Sequence, residues 1–158
     1  MPRFDRSECY AAPPAKAFAL FRRPAERVHL APPDLHLKVE EGPAELQKGS
    51  RLTVCGRRWG LSQRLASEIT ALEDDALIVE EQRKGPFRSW KHTQRFAPTP
   101  EGGVRITDEI EYEPPGGMIG LIATAAVVRG ELERLFSYRR KRLVELLGAD
   151  ERDVCPLS

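Results

Sequence analysis

The sequence predicts an α+β domain: a curved antiparallel β-sheet preceded by two short helices and crossed by one long C-terminal helix. Three observations carry this reading. From Leu35 to Tyr112, apolar and polar residues alternate with a period of two in successive segments, as half-buried strands do. The separators are short and rich in turn formers, which suits antiparallel strands, since parallel neighbours need long crossovers. Finally, a proline-free run ends at Gly148 and carries an apolar stripe at helical spacing.

The elements follow in chain order. Residues 3–12 place Phe4 and Tyr10 on one face of an extended segment, read as the first strand. Pro13-Pro14 opens an alanine-rich helix in which Ala17, Phe18 and Phe21 form a stripe. Pro24 ends it, and a second short helix over residues 25–30 stops before Pro32-Pro33. Leu35, Leu37 and Val39 alternate with His36, Lys38 and Glu40 as a strand. Further strands fall at residues 51–58, 61–72, 76–83, 88–97 and 104–112. After Pro114-Pro115-Gly116-Gly117, residues Val128, Leu132, Leu135, Phe136, Leu143, Leu146 and Leu147 mark a helix of roughly 28 residues, ~40 Å long. Residues 1–148 form the domain and 149–158 a flexible tail.

Composition narrows the class. The chain has 158 residues, an ordinary single-domain length, and 41% hydrophobic residues, enough to form a core. Lys and Arg number 25 against 24 Asp and Glu, and a net charge of +1 leaves no basic excess for nucleic acid. The longest mostly apolar stretch, residues 118–128, is too short to cross a bilayer, and residues 1–10 lack a signal-peptide core. Cys9, Cys55 and Cys155 are odd in number and widely spaced, suggesting neither a disulfide frame nor a zinc site; Cys9 and Cys55 read as small core residues. The expectation is a cytoplasmic protein, monomer or weak homodimer, without stable membrane insertion.

Alternation sets the direction of side chains. Trp90, His92, Gln94 and Phe96 share one face, opposite Lys91, Thr93 and Arg95, so the first set should face inward. Ile106, Asp108, Ile110 and Tyr112 face inward on the next strand, and Ile78, Glu80 and Gln82 form one face of the preceding one. Apolar walls with His92, Gln94, Asp108 and Tyr112 converging on them have the make-up of a small-molecule pocket. The same groups could form a satisfied core network, or an imidazole–carboxylate acid/base pair. In the last helix, Ala123, Ala125 and Ala126 are small where Leu132, Leu135, Phe136 and Leu143 are large, which can leave volume between helix and sheet or permit their close packing. Arg139 falls on the apolar stripe, where a charge must be paired or snorkel outward; Asp5, Glu8 and Asp108 are its candidate partners, and a ligand carboxylate is the alternative. Arg139-Arg140-Lys141-Arg142 reads as a helix end complementing its dipole, flanked by Glu131, Glu133 and Glu145. His29 and His36 have no partner at metal-ligand spacing, and Pro114-Pro115-Gly116-Gly117 reads as a turn at the cavity mouth with Met118 and Ile119 exposed.

An ordered set of residues resembles a known family. Ala12-Pro13-Pro14 before Phe18, Gly49-Ser50 before a strand, Gln82, Gly85-Pro86-Phe87 and the spaced Trp90, His92, Gln94 and Phe96 come first. Asp108, Tyr112, Glu113-Pro114 and Gly116 follow, then Leu132, Phe136, Tyr138 and Arg139. Together, over residues 3–147, they resemble the START-like or SRPBCC superfamily of helix-grip (START/Bet v 1-like) proteins, in its polyketide cyclase/dehydrase-like branch. The resemblance implies a cavity between sheet and helix. Where family members often carry a second histidine, this chain has Gln94, so a paired-histidine site is incomplete.

The first reading is therefore sequestration or transport of a hydrophobic or amphipathic small molecule, with no cofactor and no metal. Its ligand-binding candidates are Gln82, Trp90, His92, Gln94, Phe96, Ile106, Asp108, Ile110, Tyr112, Ala125 and Ala126. The second is a polyketide cyclase/aromatase- or dehydratase-like enzyme using His92 and Asp108 as acid and base. The third is a protein-interaction module of the chaperone-activator kind.

Overall fold

The computed structural model describes residues 2–58 and 61–150. Cys155 and most of the proposed tail lie outside them. The chain runs β1 (Arg3–Tyr10), α1 (Pro14–Arg22), α2 (Pro24–Arg27), β2 (Lys38–Glu41), β3 (Arg51–Arg58), β4 (Leu61–Glu73), β5 (Leu77–Lys84), β6 (Ser89–Pro98), β7 (Val104–Glu113), α3 (Gly117–Ile122) and α4 (Ala125–Leu147). The strands form one seven-stranded antiparallel sheet in the order β1-β7-β6-β5-β4-β3-β2. β2 to β7 thus form the expected meander, and β1 pairs with β7 at the far edge.

Burial follows the pleat most regularly in β7, where Val104, Ile106, Asp108, Ile110 and Tyr112 are buried and every residue between them is half-exposed. Two apolar clusters hold the helices to the sheet. The first joins Phe18 and Phe21 of α1 to Phe96, Ile106 and the end of α4, Leu143 and Leu147. The second joins Phe4, Ile110 and Tyr112 to Ala123, Val128, Leu132 and Phe136. Beyond α4, Ala11 N–H donates to Gly148 O at 3.0 Å and Tyr10 bridges Ala149, so the helix end is tied to β1.

The long helix is interrupted. A short α3 precedes α4, and the break falls at Ala123 and Thr124. Thr124 is extended (φ −69°, ψ 167°), and its hydroxyl accepts from Val127 N–H at 3.4 Å, supplying a partner that a continuous helix would draw from its own backbone. Ala123 is fully buried in the second cluster, so the break is also where the chain turns inward. The strand expected from Leu35 is shorter as well. Val28–Leu30 and Pro33–Leu35 form tight 3₁₀ turns, His36 takes a left-handed conformation (φ 48°), and the strand begins only at Lys38. Pro33 fixes the φ angle that such a turn needs and overrides the alternation. Cys9 is buried but disulfide-bonded, against the expectation of a simple core thiol, whereas Cys55 is free and half-buried.

Candidate functional site

α4 packs against the sheet through both clusters, its first half by Val128, Leu132 and Phe136 and its end by Leu143 and Leu147, without filling the space between helix and sheet. Between them lies a cavity of about 380 Å³. Phe21 of α1, Pro24 and Val28 close one side; Leu52, Val54 and Leu65 come from β3 and β4; Val128, Leu132, Leu135 and Phe136 of α4 form the roof. Pro86, Phe87 and Pro115 border it where the β5–β6 turn meets the link to α3. These walls are mostly apolar, as a site for a hydrophobic guest requires.

Four of the sequence-derived candidates line this cavity: Trp90, His92, Gln94 and Ile110. Asp108 stands directly behind them, fully buried and bonded to both His92 and Gln94. Phe96 and Ile106 belong to the first cluster, where Phe96 packs 5.4 Å from the Phe18 ring. Tyr112 is buried in the second cluster, 6.0 Å from the Trp90 ring. Gln82 does not reach the cavity: its Nε2 donates to Phe87 O at 2.7 Å and its Oε1 accepts from Phe87 N–H at 3.3 Å, pinning the β5–β6 turn. Ala125 and Ala126 are exposed and outside the lining, because the inward stripe of α4 begins at Val128 and continues through Leu132, Phe136 and Arg139.

The polar end of the cavity is built on two clamped carboxylates. Arg139, with its side chain only 4% exposed, grips Asp108 bidentately, Nη1 to Oδ1 at 3.1 Å and Nη2 to Oδ2 at 2.5 Å. Its guanidinium also lies over the Phe136 ring, 4.1 Å from the centroid. Of the three partners the sequence allowed, Asp108 is the one used. Asp108 Oδ1 takes two more hydrogen bonds, from His92 Nε2 at 2.7 Å and Gln94 Nε2 at 2.9 Å. Burial alone would push this carboxyl up; the Arg139 charge and the hydrogen bonds from His92 and Arg139 outweigh it and hold the group well below the usual carboxylate range. Asp108 is therefore ionised and accepts only, so His92 carries its proton on Nε2.

The second clamp escaped the sequence reading. Glu80 is buried in the cavity wall, opposite His92 in the β5–β6 register. Arg27 Nη2 donates to its Oε1 at 2.5 Å, and Ser67 Oγ to its Oε2 at 2.5 Å. Burial opposes ionisation here too, but the charge of Arg27 and the bonds from Ser67 and Arg27 leave Glu80 below its ordinary value. Its sequence signal was alternation: Glu80 shares a face with Ile78, but Leu77-Ile78-Val79 is apolar on both faces and hides the polarity of the strand.

Nearby features are absorbed by structure. Arg140 Nη1 donates to Cys9 O at 2.9 Å and Arg142 pairs with Glu145, so members of the basic run are engaged one by one. Met118 and Leu121 of α3 are exposed, at 85% and 82%, whereas Ile119 packs against the second cluster, contrary to expectation. His29 and His36 are exposed. Among the described residues, no helix is long and apolar enough to cross a membrane, and no three metal-binding side chains converge.

Comparison with known proteins places this geometry in a family. No curated protein matches the chain. Among solved structures, protein CV1439 from Chromobacterium violaceum is similar at 16% identity, with a TM-score of 0.74 over 95% of this chain and all of that one. Norcoclaurine synthase from Thalictrum flavum, solved with dopamine and hydroxybenzaldehyde, matches at 15% identity and a TM-score of 0.63, over 91% of this chain and 87% of its own. A major latex-like protein from Panax ginseng matches at 14% and 0.61, over 89% and 96% of the two chains. At these identities the likeness is one of fold, the Bet v 1-like helix-grip arrangement. The family model described as polyketide cyclase/dehydrase and lipid transport matches residues 1–145, nearly the whole chain, and the chain belongs to that family.

Proposed function

We propose that this protein binds and sequesters, or carries, a hydrophobic or amphipathic small molecule between the sheet and the first half of α4. The observation that supports the reading is the cavity of about 380 Å³, apolar on most of its wall and polar at one clamped end. Apolar burial supplies affinity at about 25 cal/mol per Å² removed from water, and the clamped end orients the guest. Nile red, a neutral solvatochromic dye, is expected to bind one per chain with a blue-shifted emission, and native mass spectrometry to show a single adduct. A dye that stays in water, with no adduct, rejects the reading.

One observation favours a second reading, acid/base chemistry. The Asp108–His92 contact of 2.7 Å orients the imidazole and leaves Nδ1, which has no hydrogen bond among the described residues, as a site for proton exchange. Gln94 in place of a second histidine leaves that pair alone. The two readings separate in His92→Gln. A carrier keeps its Nile red affinity within a few-fold, whereas an enzyme loses roughly 10²–10⁴-fold in turnover on whatever substrate it processes.

A further inference from the structure

The cavity wall is balanced in charge but not in hydrogen-bonding capacity. Arg27, Arg57 and Arg139 line it, against Glu80 and Glu131, with Asp108 immediately behind. Three guanidiniums thus meet three carboxylates. At the buried end each guanidinium already has its own carboxylate, and every carboxylate oxygen of Glu80 and Asp108 already accepts at least one hydrogen bond.

Among the described residues, the buried side-chain atoms without a partner on cavity-lining residues are all donors. Arg27 Nη1, Arg139 Nε and Gln63 Nε2 are buried nitrogens with no hydrogen-bond partner, and all three residues line the cavity. Each is a donor, and a buried donor without an acceptor is costly. An acceptor entering the cavity relieves that cost. A carboxylate would add an unbalanced charge to a wall whose charges cancel, and burying a charge without a counter-charge is more expensive still. An ammonium meets the opposite problem, because the buried carboxylates of Glu80 and Asp108 already accept from the protein.

From this imbalance we infer that the polar end of the ligand is a neutral hydrogen-bond acceptor, a ketone, ester, amide or quinone carbonyl, and that matched carboxylates and amines are discriminated against. The inference rests on the cavity being the ligand site and names the chemical class it selects.

A shape-matched series tests it: 2-acetylnaphthalene, 2-naphthoate, 2-naphthylmethylamine and 2-ethylnaphthalene, each competing against Nile red at neutral pH. The ketone is expected to bind about tenfold more tightly than the hydrocarbon, the size of one to two well-made hydrogen bonds, and to lead both charged compounds. Gln63→Leu and Arg27→Met should each shrink the ketone's lead over 2-ethylnaphthalene. If Arg27→Met unfolds because Glu80 loses its partner, Gln63→Leu carries the comparison alone. Naphthoate or the amine equalling the ketone overturns the inference, as does a lead that survives Gln63→Leu undiminished. In both cases hydrocarbon binding leaves the cavity reading standing; if no member of the series binds, that reading falls as well.

Discussion

Replacing Arg139 with leucine is expected to remove about 3–5 kcal/mol of folding stability, the cost of stripping one partner from a buried ion pair. Asp108 is fully buried, and without the guanidinium it would keep only His92 and Gln94, neither of which brings a fixed positive charge. The leucine loses the stacking on Phe136 as well. The double variant Asp108→Leu/Arg139→Leu should recover much of the loss, because replacing both charges by apolar side chains is often neutral. Urea unfolding at pH 7 reads both. Equal loss in the single and double variants would show that packing of Arg139, not its pairing, is what matters. The pH dependence has a fixed sign. A carboxyl held below its unfolded value contributes stability above the ordinary carboxylate range, and that contribution is lost as the pH falls through the folded value. The wild type should therefore weaken on acidification, and Arg139→Leu should show a shallower decline.

The second large effect concerns the roof of the cavity. Leu132→Trp should cut Nile red affinity at least about tenfold while changing stability by under ~1 kcal/mol. Overpacking a filled core costs about 1–3 kcal/mol, because neighbours must leave their rotamers; a side chain growing into existing space avoids most of that. Leu132 lines the cavity and belongs to the second cluster, so an indole there would enter the volume the dye needs. Ala125→Phe is the control, since residue 125 is exposed and an added ring meets solvent. Full dye binding in Leu132→Trp, or its loss in Ala125→Phe, would place the binding site elsewhere.

The sheet face was legible because one side of it is buried: a strict period of two left no choice for β6 and β7, and one slip would have sent Lys91 and Arg95 inside. Arg139 was legible for the same reason, since a charge on an apolar stripe demands a partner. The helix was harder. Ala123, Thr124, Ala125 and Ala126 read as uninterrupted helix because alanine is the best helix former, and only the capping hydroxyl of Thr124 marks the break. That break shifts the inward stripe, so Ala125 and Ala126 look outward and the cavity is roofed by Val128, Leu132 and Leu135 instead. The Arg27–Glu80 clamp joins residues far apart in sequence through a short helix and a strand with two apolar faces, and no local period brings them together.

The guest is expected to lie between the sheet and the first half of α4. Methyl-resolved NMR of the protein titrated with Nile red tests it most directly. The methyls of Ile110, Val128, Leu132 and Leu135, all on the cavity wall, should shift and saturate together at one dye per chain. Those of Leu143, fully buried in the first cluster, should stay in place. Shifts confined to Met118, Leu121 and Ile122 of α3, with the wall methyls unmoved, would mean that the dye sits on the exposed surface of that helix and would contradict the account.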